Sequence, residues 1–128
     1  MTFRYTTLYV TDVKKTLAFY EKAFGLATHF LHESGGYGEL ESGQTKLGFA
    51  AHETAAQLLG VPYNRTTPGA PPPGFEIGLG VDDARAAFDR AVAAGAAAVR
   101  PPAPMPWGQT IAYVRDPDGA LIVLVQGD

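Results

Sequence analysis

One short pattern occurs twice in this chain. Residues 5–12 read YTTLYVTD, and residues 76–83 read EIGLGVDD. In each copy small or polar residues alternate with apolar ones, as in a strand with one buried face, and an acidic residue able to cap a helix follows. An internal repeat constrains the architecture before any single residue does. Because each copy belongs to roughly half of the chain, the sequence predicts two similar modules in tandem.

The residues after each copy extend both modules in the same order. An apolar stripe from Val13 to Phe24 predicts a helix that ends at Gly25, and a similar stripe from Ala84 predicts a helix that ends at Gly95. Three strands are predicted after each helix, near 26–33, 37–41 and 45–52 in the first module and around Val99, 109–115 and 120–125 in the second. Each module is therefore βαβββ, and the fold class is α+β.

The repeat divides the single predicted domain into three segments. The first module is predicted over 1–52 and the second over 74–128. Between them, residues 53–73 include the run Pro71-Pro72-Pro73, which disfavours both ladder and helix and favours extended backbone. We expect this segment to be a linker, in which residues 54–59 have the composition for a helical turn or two.

The composition excludes several classes of protein. The net charge is −3 and the Lys and Arg residues form no basic stripe, so no nucleic-acid partner is predicted. The absence of Cys excludes a disulfide framework and a thiolate metal site. No apolar run is long enough to span a bilayer, and the N-terminus lacks the apolar core of a signal peptide. We therefore expect a soluble cytoplasmic protein that does not bind membranes.

Two fragments, added to the repeat, resemble the vicinal oxygen chelate superfamily, which contains glyoxalase I, extradiol dioxygenases, fosfomycin-resistance enzymes and bleomycin-resistance proteins. Residues 17–25, LAFYEKAFG, resemble the first helix of that family, and residues 115–126, RDPDGALIVLVQ, resemble its C-terminal hairpin. The resemblance implies that the two modules form a half-barrel with a cleft for a ligand, and that the protein is a homodimer. It implies no single function, because the superfamily hosts many chemistries.

In metal-dependent members, the first and last strands of each module supply the ligands of one divalent ion. The resemblance places these positions at Tyr5, Gly48, Glu76 and Val123, with Leu47 in place of Gly48 if the register shifts by one. A hard divalent ion needs several oxygen or imidazole donors. Only Glu76 is a strong donor in this set, so no family-type metal centre and no cofactor are predicted.

His52 is the histidine with the best claim to a site. If the predicted strand 45–52 reaches it, His52 shares a face with Gly48 and, with Tyr5 and Glu76, makes an alternative set of three donors. The other interpretation, which we favour, places His52 at the rim, where the strand enters the linker.

The face opposite the helix supplies candidate ligand contacts in the first strand of each module. If the apolar residues of the two copies cover the helices, the other parity faces the cleft, namely Tyr5, Thr7, Tyr9, Glu76, Gly78 and Gly80. Glycine inside a strand often marks the close approach of a ligand, and tyrosine offers a flat apolar ring with a polar tip. An aromatic or heterocyclic molecule over the glycines is one prediction, and a packed core of complementary large and small residues is the other.

Trp107 lies in a proline-rich stretch and is predicted to contact the ligand at the edge of the pocket. By the repeat, its counterpart is Tyr37, and Glu39 is a further candidate for the inner face. Residues 116–119, DPDG, have the composition that a tight turn needs and are predicted to be structural.

Glu76 is the one acid expected on the cleft face. Burial would raise its pKa and make it a general base or a counter-ion for a cationic ligand; a carboxylate satisfied by a hydroxyl such as that of Tyr5 is the structural alternative. The sequence favours metal-independent binding of a small aromatic or cationic molecule in the cleft. The alternatives are a glyoxalase-like lyase or isomerase, a dioxygenase-like enzyme with Glu76 as base or an atypical metal site, and an interaction protein with a vestigial cavity.

Overall fold

Eight strands and three helices make up the computed structural model, which describes residues 1–128. The chain divides into two compact units, Met1–Arg65 and Thr66–Asp128. Each unit contains one four-stranded sheet. The α+β class and the repeated βαβββ order are therefore confirmed.

The first unit contains β1 (Tyr5–Val10), α1 (Val13–Phe24), β2 (Thr28–Leu31), β3 (Tyr37–Leu40), β4 (Lys46–Ala51) and α2 (His52–Leu59). Its strand order is β1-β4-β3-β2, with β1 parallel to β4 and the other neighbours antiparallel. Leu8 and Val10 of β1 are buried with Phe49 of β4 and the apolar stripe of α1. The alternate residues of β1 consequently lie on the opposite face of the sheet.

The second unit contains β5 (Ile77–Val81), α3 (Ala84–Ala93), β6 (Ala97–Pro104), β7 (Thr110–Arg115) and β8 (Leu121–Gln126). Its strand order, β5-β8-β7-β6, repeats that of the first unit, again with one parallel pair. Val114, Ile122 and Leu124 are fully buried and form its core with Phe88 of α3.

Both helix starts and the end of α1 follow the predicted local chemistry, whereas α3 ends at Ala93 with Ala94, not Gly95, as its C-cap. The carboxylate of Asp12 accepts from the backbone N–H of Lys15 at the start of α1, and Gly25 ends this helix in the left-handed conformation with φ of 71°. In the second unit Asp83, the second of the two acidic candidates, caps α3 by accepting from the N–H of Ala86.

The first unit differs from the sequence prediction where β4 ends. β4 stops at Ala51, and His52 begins α2, so the prediction of a strand extending over 45–52 was wrong at its end. Residues 52–59 continue as one helix because they contain no proline and bury Ala55, and the helix ends at Gly60. The start of the expected linker, residues 53–59, is therefore helical and belongs to the first unit.

The helices are short or polar. None of them has the length and apolar content needed to cross a membrane.

Candidate functional site

An open pocket of about 400 Å³ lies in the second unit. Its lining residues come from the segment before β5, from β6 and β7, and from the start of β8: Pro72, Pro73, Gly74, Phe75, Glu76, Val99, Arg100, Tyr113 and Leu121. Small-molecule sites usually have volumes of about 300–1,000 Å³ and mostly apolar walls with a few polar groups. The pocket therefore has the size and composition of a site for a small organic molecule.

Three polar side chains meet in this pocket, and the sheet brings them together. Arg100 of β6 is the register partner of Tyr113 of β7, and Tyr113 is in turn the partner of Val123 of β8. Glu76 immediately precedes β5 and bonds to the hydroxyl of Tyr113. Burial, then the negative charge of Glu76 and the hydrogen bond to it, raise the pKa of Tyr113, while the positive charge of Arg100 opposes that shift. These charges place the phenol of Tyr113 between a carboxylate and a guanidinium.

Arg115 positions the segment that forms one wall of the pocket. Its Nη1 donates to the carbonyl oxygens of Ala70 at 2.7 Å and Pro68 at 3.3 Å, and its Nη2 donates to that of Thr67 at 3.0 Å. Its Nε donates to the carbonyl oxygen of Gly119 at 2.9 Å. The guanidinium therefore ties the segment before Pro72 to the β7–β8 turn.

A second polar cluster lies on the first unit's sheet, on the face away from α1. The hydroxyl of Tyr37 donates to Oε2 of Glu39 at 3.1 Å and is also bonded by the hydroxyl of Thr7. Burial and the bond to Glu39 raise the pKa of Tyr37. A β-carbon built on Gly48 would lie 2.6 Å from this hydroxyl oxygen, so the phenol occupies the space directly over the glycine.

These positions test whether the residues fit the metal ion that the fold family implies. Gly48, not Leu47, faces away from the helix: it is the register partner of Thr7, whereas Leu47 is buried in the core. The Tyr37 hydroxyl fills the space into which a ligand at position 48 would project, and Val123 offers no donor atom. No three His, Asp or Glu side chains gather as a metal site anywhere in residues 1–128. The residues present do not fit a family-type metal centre.

His52 is committed to contacts inside the first unit. It is 7% exposed, its Nδ1 lies 2.8 Å from the hydroxyl of Tyr63, and the two rings stack. Tyr9 packs edge-on against the same Tyr63 ring at a centroid distance of 5.1 Å. His52 therefore directly follows the end of β4 as a buried residue, and it joins Tyr9 in an aromatic cluster around Tyr63.

The other predicted contacts are distributed over both units. In the first unit Tyr5, Thr7 and Tyr9 share the face away from α1, as the parity of β1 requires. In the second unit Gly78 shares a face with Val123, and Glu76 is the predicted residue that lines the pocket. The remaining candidate, Trp107, is 65% exposed in the β6–β7 turn, and its Nε1 donates to Oε1 of Gln109 at 2.9 Å.

The sequence reasoning missed two pocket residues, Arg100 and Tyr113. Arg100 is the single charged residue in the strand AAVRPPAP, and a lone charge in an otherwise apolar strand could have indicated a functional residue. Tyr113 alternates with the buried residues Ala112 and Val114, and this alternation places its ring on the face away from α3.

Comparisons with known proteins agree with this fold. The model of the Glyoxalase/Bleomycin resistance protein/Dioxygenase superfamily matches residues 2–124. A Vibrio cholerae serotype O1 protein named probable lactoylglutathione lyase is 32% identical over 127 residues, covering 95% of this chain and 88% of that protein.

Solved structures show the same fold at lower sequence identity. A glyoxalase-related enzyme from Fulvimarina pelagi superposes with a TM-score of 0.85 at 22% identity, covering 99% of this chain and 88% of the other. A glyoxalase/bleomycin resistance protein/dioxygenase family enzyme from Burkholderia phytofirmans gives 0.76 at 23% identity, covering 98% of both chains. Because the family model matches nearly the whole length of this chain, the chain belongs to the glyoxalase/bleomycin resistance protein/dioxygenase superfamily.

Proposed function

We propose that this protein binds a small aromatic molecule in the pocket of the second unit, without the help of a metal ion. The observation that carries the proposal is the pocket itself, in which the rings of Phe75 and Tyr113 and two proline rings surround the polar groups of Glu76 and Arg100. Flat apolar walls with few polar groups suit a planar ligand that is oriented by hydrogen bonds.

The apolar walls alone would bind such a ligand weakly. Burying a ring of the size of a phenylalanine side chain contributes about 1.5–3 kcal/mol, whereas a dissociation constant of 1 mM already requires about 4 kcal/mol. The polar groups must therefore supply the remaining affinity and the selectivity. In this proposal Glu76, held by the hydroxyl of Tyr113, accepts a hydrogen bond from the ligand through its remaining lone pairs.

Independence from metal is supported by the donor atoms at the family's ligand positions. Tyr37 fills the space over Gly48, and Val123 has no donor. Elemental analysis of protein purified without chelator tests this part of the proposal. A stoichiometric divalent metal in that protein would overturn it.

A second candidate function is catalysis by a lyase or isomerase, with Glu76 as the general base. The observation that favours it is the 32% identity to a protein named probable lactoylglutathione lyase. In such a reaction the carboxylate would take a proton from a carbon of the substrate and return it to a neighbouring atom. The hydroxyl of Tyr113 would hold the carboxylate in place. Glu76 is exposed, and not buried as the sequence predicted, so a substrate could reach it.

One pair of measurements separates the two functions. Titration of the full chain with benzyl alcohol, followed by amide chemical shifts, should perturb residues around Phe75 and Tyr113. This response should be lost in Phe75→Ala. No response at the pocket would refute binding there.

Turnover is measured with the hemithioacetal that methylglyoxal forms with glutathione, as the appearance of S-lactoylglutathione. A binding protein leaves the hemithioacetal unchanged, whereas an enzyme consumes it, and Glu76→Gln then abolishes turnover while retaining affinity. Glu33→Gln is the matched control, because Glu33 is an exposed carboxylate in the turn between β2 and β3 of the first unit.

A further inference from the structure

We propose that the ligand of the second-unit pocket carries a carboxylate, which pairs with the guanidinium of Arg100. This inference rests on the proposed function and specifies the chemical class of the ligand: an aromatic carboxylate rather than a neutral or cationic aromatic molecule.

Arg100 has no counter-ion within the chain. It lines the pocket from β6, opposite Tyr113, and no ion pair joins it to a carboxylate of the protein, in contrast to Arg85, which pairs with Asp89. A guanidinium is charged at every physiological pH and cannot neutralise itself by losing its proton. Its charge is therefore available to a group that enters the pocket.

The acid in the same pocket, Glu76, forms no ion pair with Arg100. Glu76 interacts with the hydroxyl of Tyr113, which donates to it. A cationic ligand at Glu76 would lie in the same pocket as the guanidinium of Arg100, and like charges repel each other. An anionic ligand pairs with Arg100 and leaves the bond between Tyr113 and Glu76 intact.

The geometry of the walls also favours a carboxylate at Arg100. Pro72 and Pro73 have no backbone N–H, so an anion against this part of the wall depends on a side-chain donor such as Arg100. The planar fork of an arginine matches the two oxygens of a carboxylate. A benzoate-like molecule can thus place its ring against Phe75 and its carboxylate against Arg100.

Three probes of nearly equal shape test the inference. Benzoate, benzamide and benzamidinium share one ring and differ in charge, and their dissociation constants for the full chain are measured by amide chemical shifts. We expect benzoate to bind about tenfold more tightly than the other two. In Arg100→Gln this preference should fall to about twofold or less. Arg85→Gln, which removes the same charge from the exposed surface of α3 in the same unit, should keep the tenfold preference.

The outcomes distinguish this inference from the function on which it rests. Equal binding of benzoate and benzamide at the pocket, or tightest binding of benzamidinium, would overturn the inference that the ligand carries a carboxylate. The proposal that the pocket binds a small molecule would remain in place. A benzoate preference that survives in Arg100→Gln would also overturn the inference. If none of the three probes shifts a pocket resonance, both the inference and the proposed function fail.

Discussion

The hydroxyl oxygen of Tyr37 lies over the backbone of Gly48, so close that a β-carbon at residue 48 would be 2.6 Å from it. Tyr37 is held there by Glu39 and Thr7. The glycine therefore makes room for a phenol at one of the positions where the resemblance places a metal ligand. Restoring a side chain at residue 48 requires the phenol to move.

Gly48→Ala should destabilise the protein by about 1–3 kcal/mol, the usual cost of overpacking. The loss of stability caused by Gly48→Ala should be smaller in a Tyr37→Phe background, because the hydroxyl oxygen nearest to the new β-carbon is then absent. The free energies of unfolding of the single and double variants, measured by chemical denaturation, give the coupling between the two positions.

The glycines of β5 provide matched controls. A β-carbon at Gly78 would lie 3.6 Å from Cγ1 of Val123, which is an ordinary contact, and one at Gly80 would meet nothing within 4 Å. Gly78→Ala and Gly80→Ala should therefore leave stability unchanged or raise it by up to about 1 kcal/mol. A loss as large as that of Gly48→Ala would contradict the role of the Tyr37 hydroxyl.

The raised pKa of Tyr113 predicts a dependence of stability on alkaline pH. A raised pKa means that the folded state favours the protonated phenol, so its contribution is complete below the ordinary pKa of 10.0 and is lost as the pH rises through the higher folded value. The difference in unfolding free energy between the wild type and Tyr113→Phe should therefore shrink above pH of about 10.

Glu76→Gln tests the electrostatic cause of that shift. It removes the negative charge beside the phenol, so the pKa of Tyr113 should fall and the phenolate absorbance should appear at lower pH. An unchanged titration would show that Glu76 does not contribute to the raised pKa.

Arg115→Met should loosen the wall of the pocket. The variant removes the donors to the carbonyl oxygens of Thr67, Pro68 and Ala70 while keeping much of the side chain's apolar volume. We expect a loss of about 2–3 kcal/mol, in line with hydrogen bonds from a charged group, and faster proteolysis within residues 66–75. Arg85→Met removes an exposed ion pair with Asp89 and a cation–π contact with Phe88 on α3, and it should cost at most about 1 kcal/mol. Equal effects would argue against the Arg115 contacts.

Tyr63→Phe should cost about 1–2 kcal/mol, because it removes the hydroxyl 2.8 Å from Nδ1 of the buried His52 and keeps the stacked ring. Tyr9→Phe is the comparison, since the Tyr9 ring packs on the same tyrosine and this change keeps that packing. It should alter the unfolding free energy by less than about 0.5 kcal/mol. If the two variants behave alike, the hydrogen bond to His52 contributes little.

Much of the fold was predictable because its signals are local. The capping carboxylate of Asp12 and the left-handed Gly25 both act within a few residues of α1. The alternation in β1 also assigned Thr7 to the face away from the helix, and the register places Gly48 of β4, rather than Leu47, beside it. The end of β4 was not predictable, because the residues around His52 are compatible with either a longer strand or the start of a helix.

The pocket could not be predicted from local sequence patterns, because its residues are brought together by pairing between strands. The register of β6 with β7 shifts on either side of Arg100, so no regular alternation along the sequence indicates which residue Arg100 faces. The candidate contacts Tyr5, Thr7, Tyr9, Gly78 and Trp107 stay predictions as ligand contacts.

The sequence by itself determined the repeat, the helix caps and the parity of the first strands, since these depend on neighbours along the chain. Only the tertiary structure decided that the Tyr37 hydroxyl fills the space over Gly48 and that Arg100 shares a pocket with Tyr113 and Glu76. Those contacts arise between side chains on different strands, and their geometry is set by sheet register and side-chain volume rather than by local residue preference.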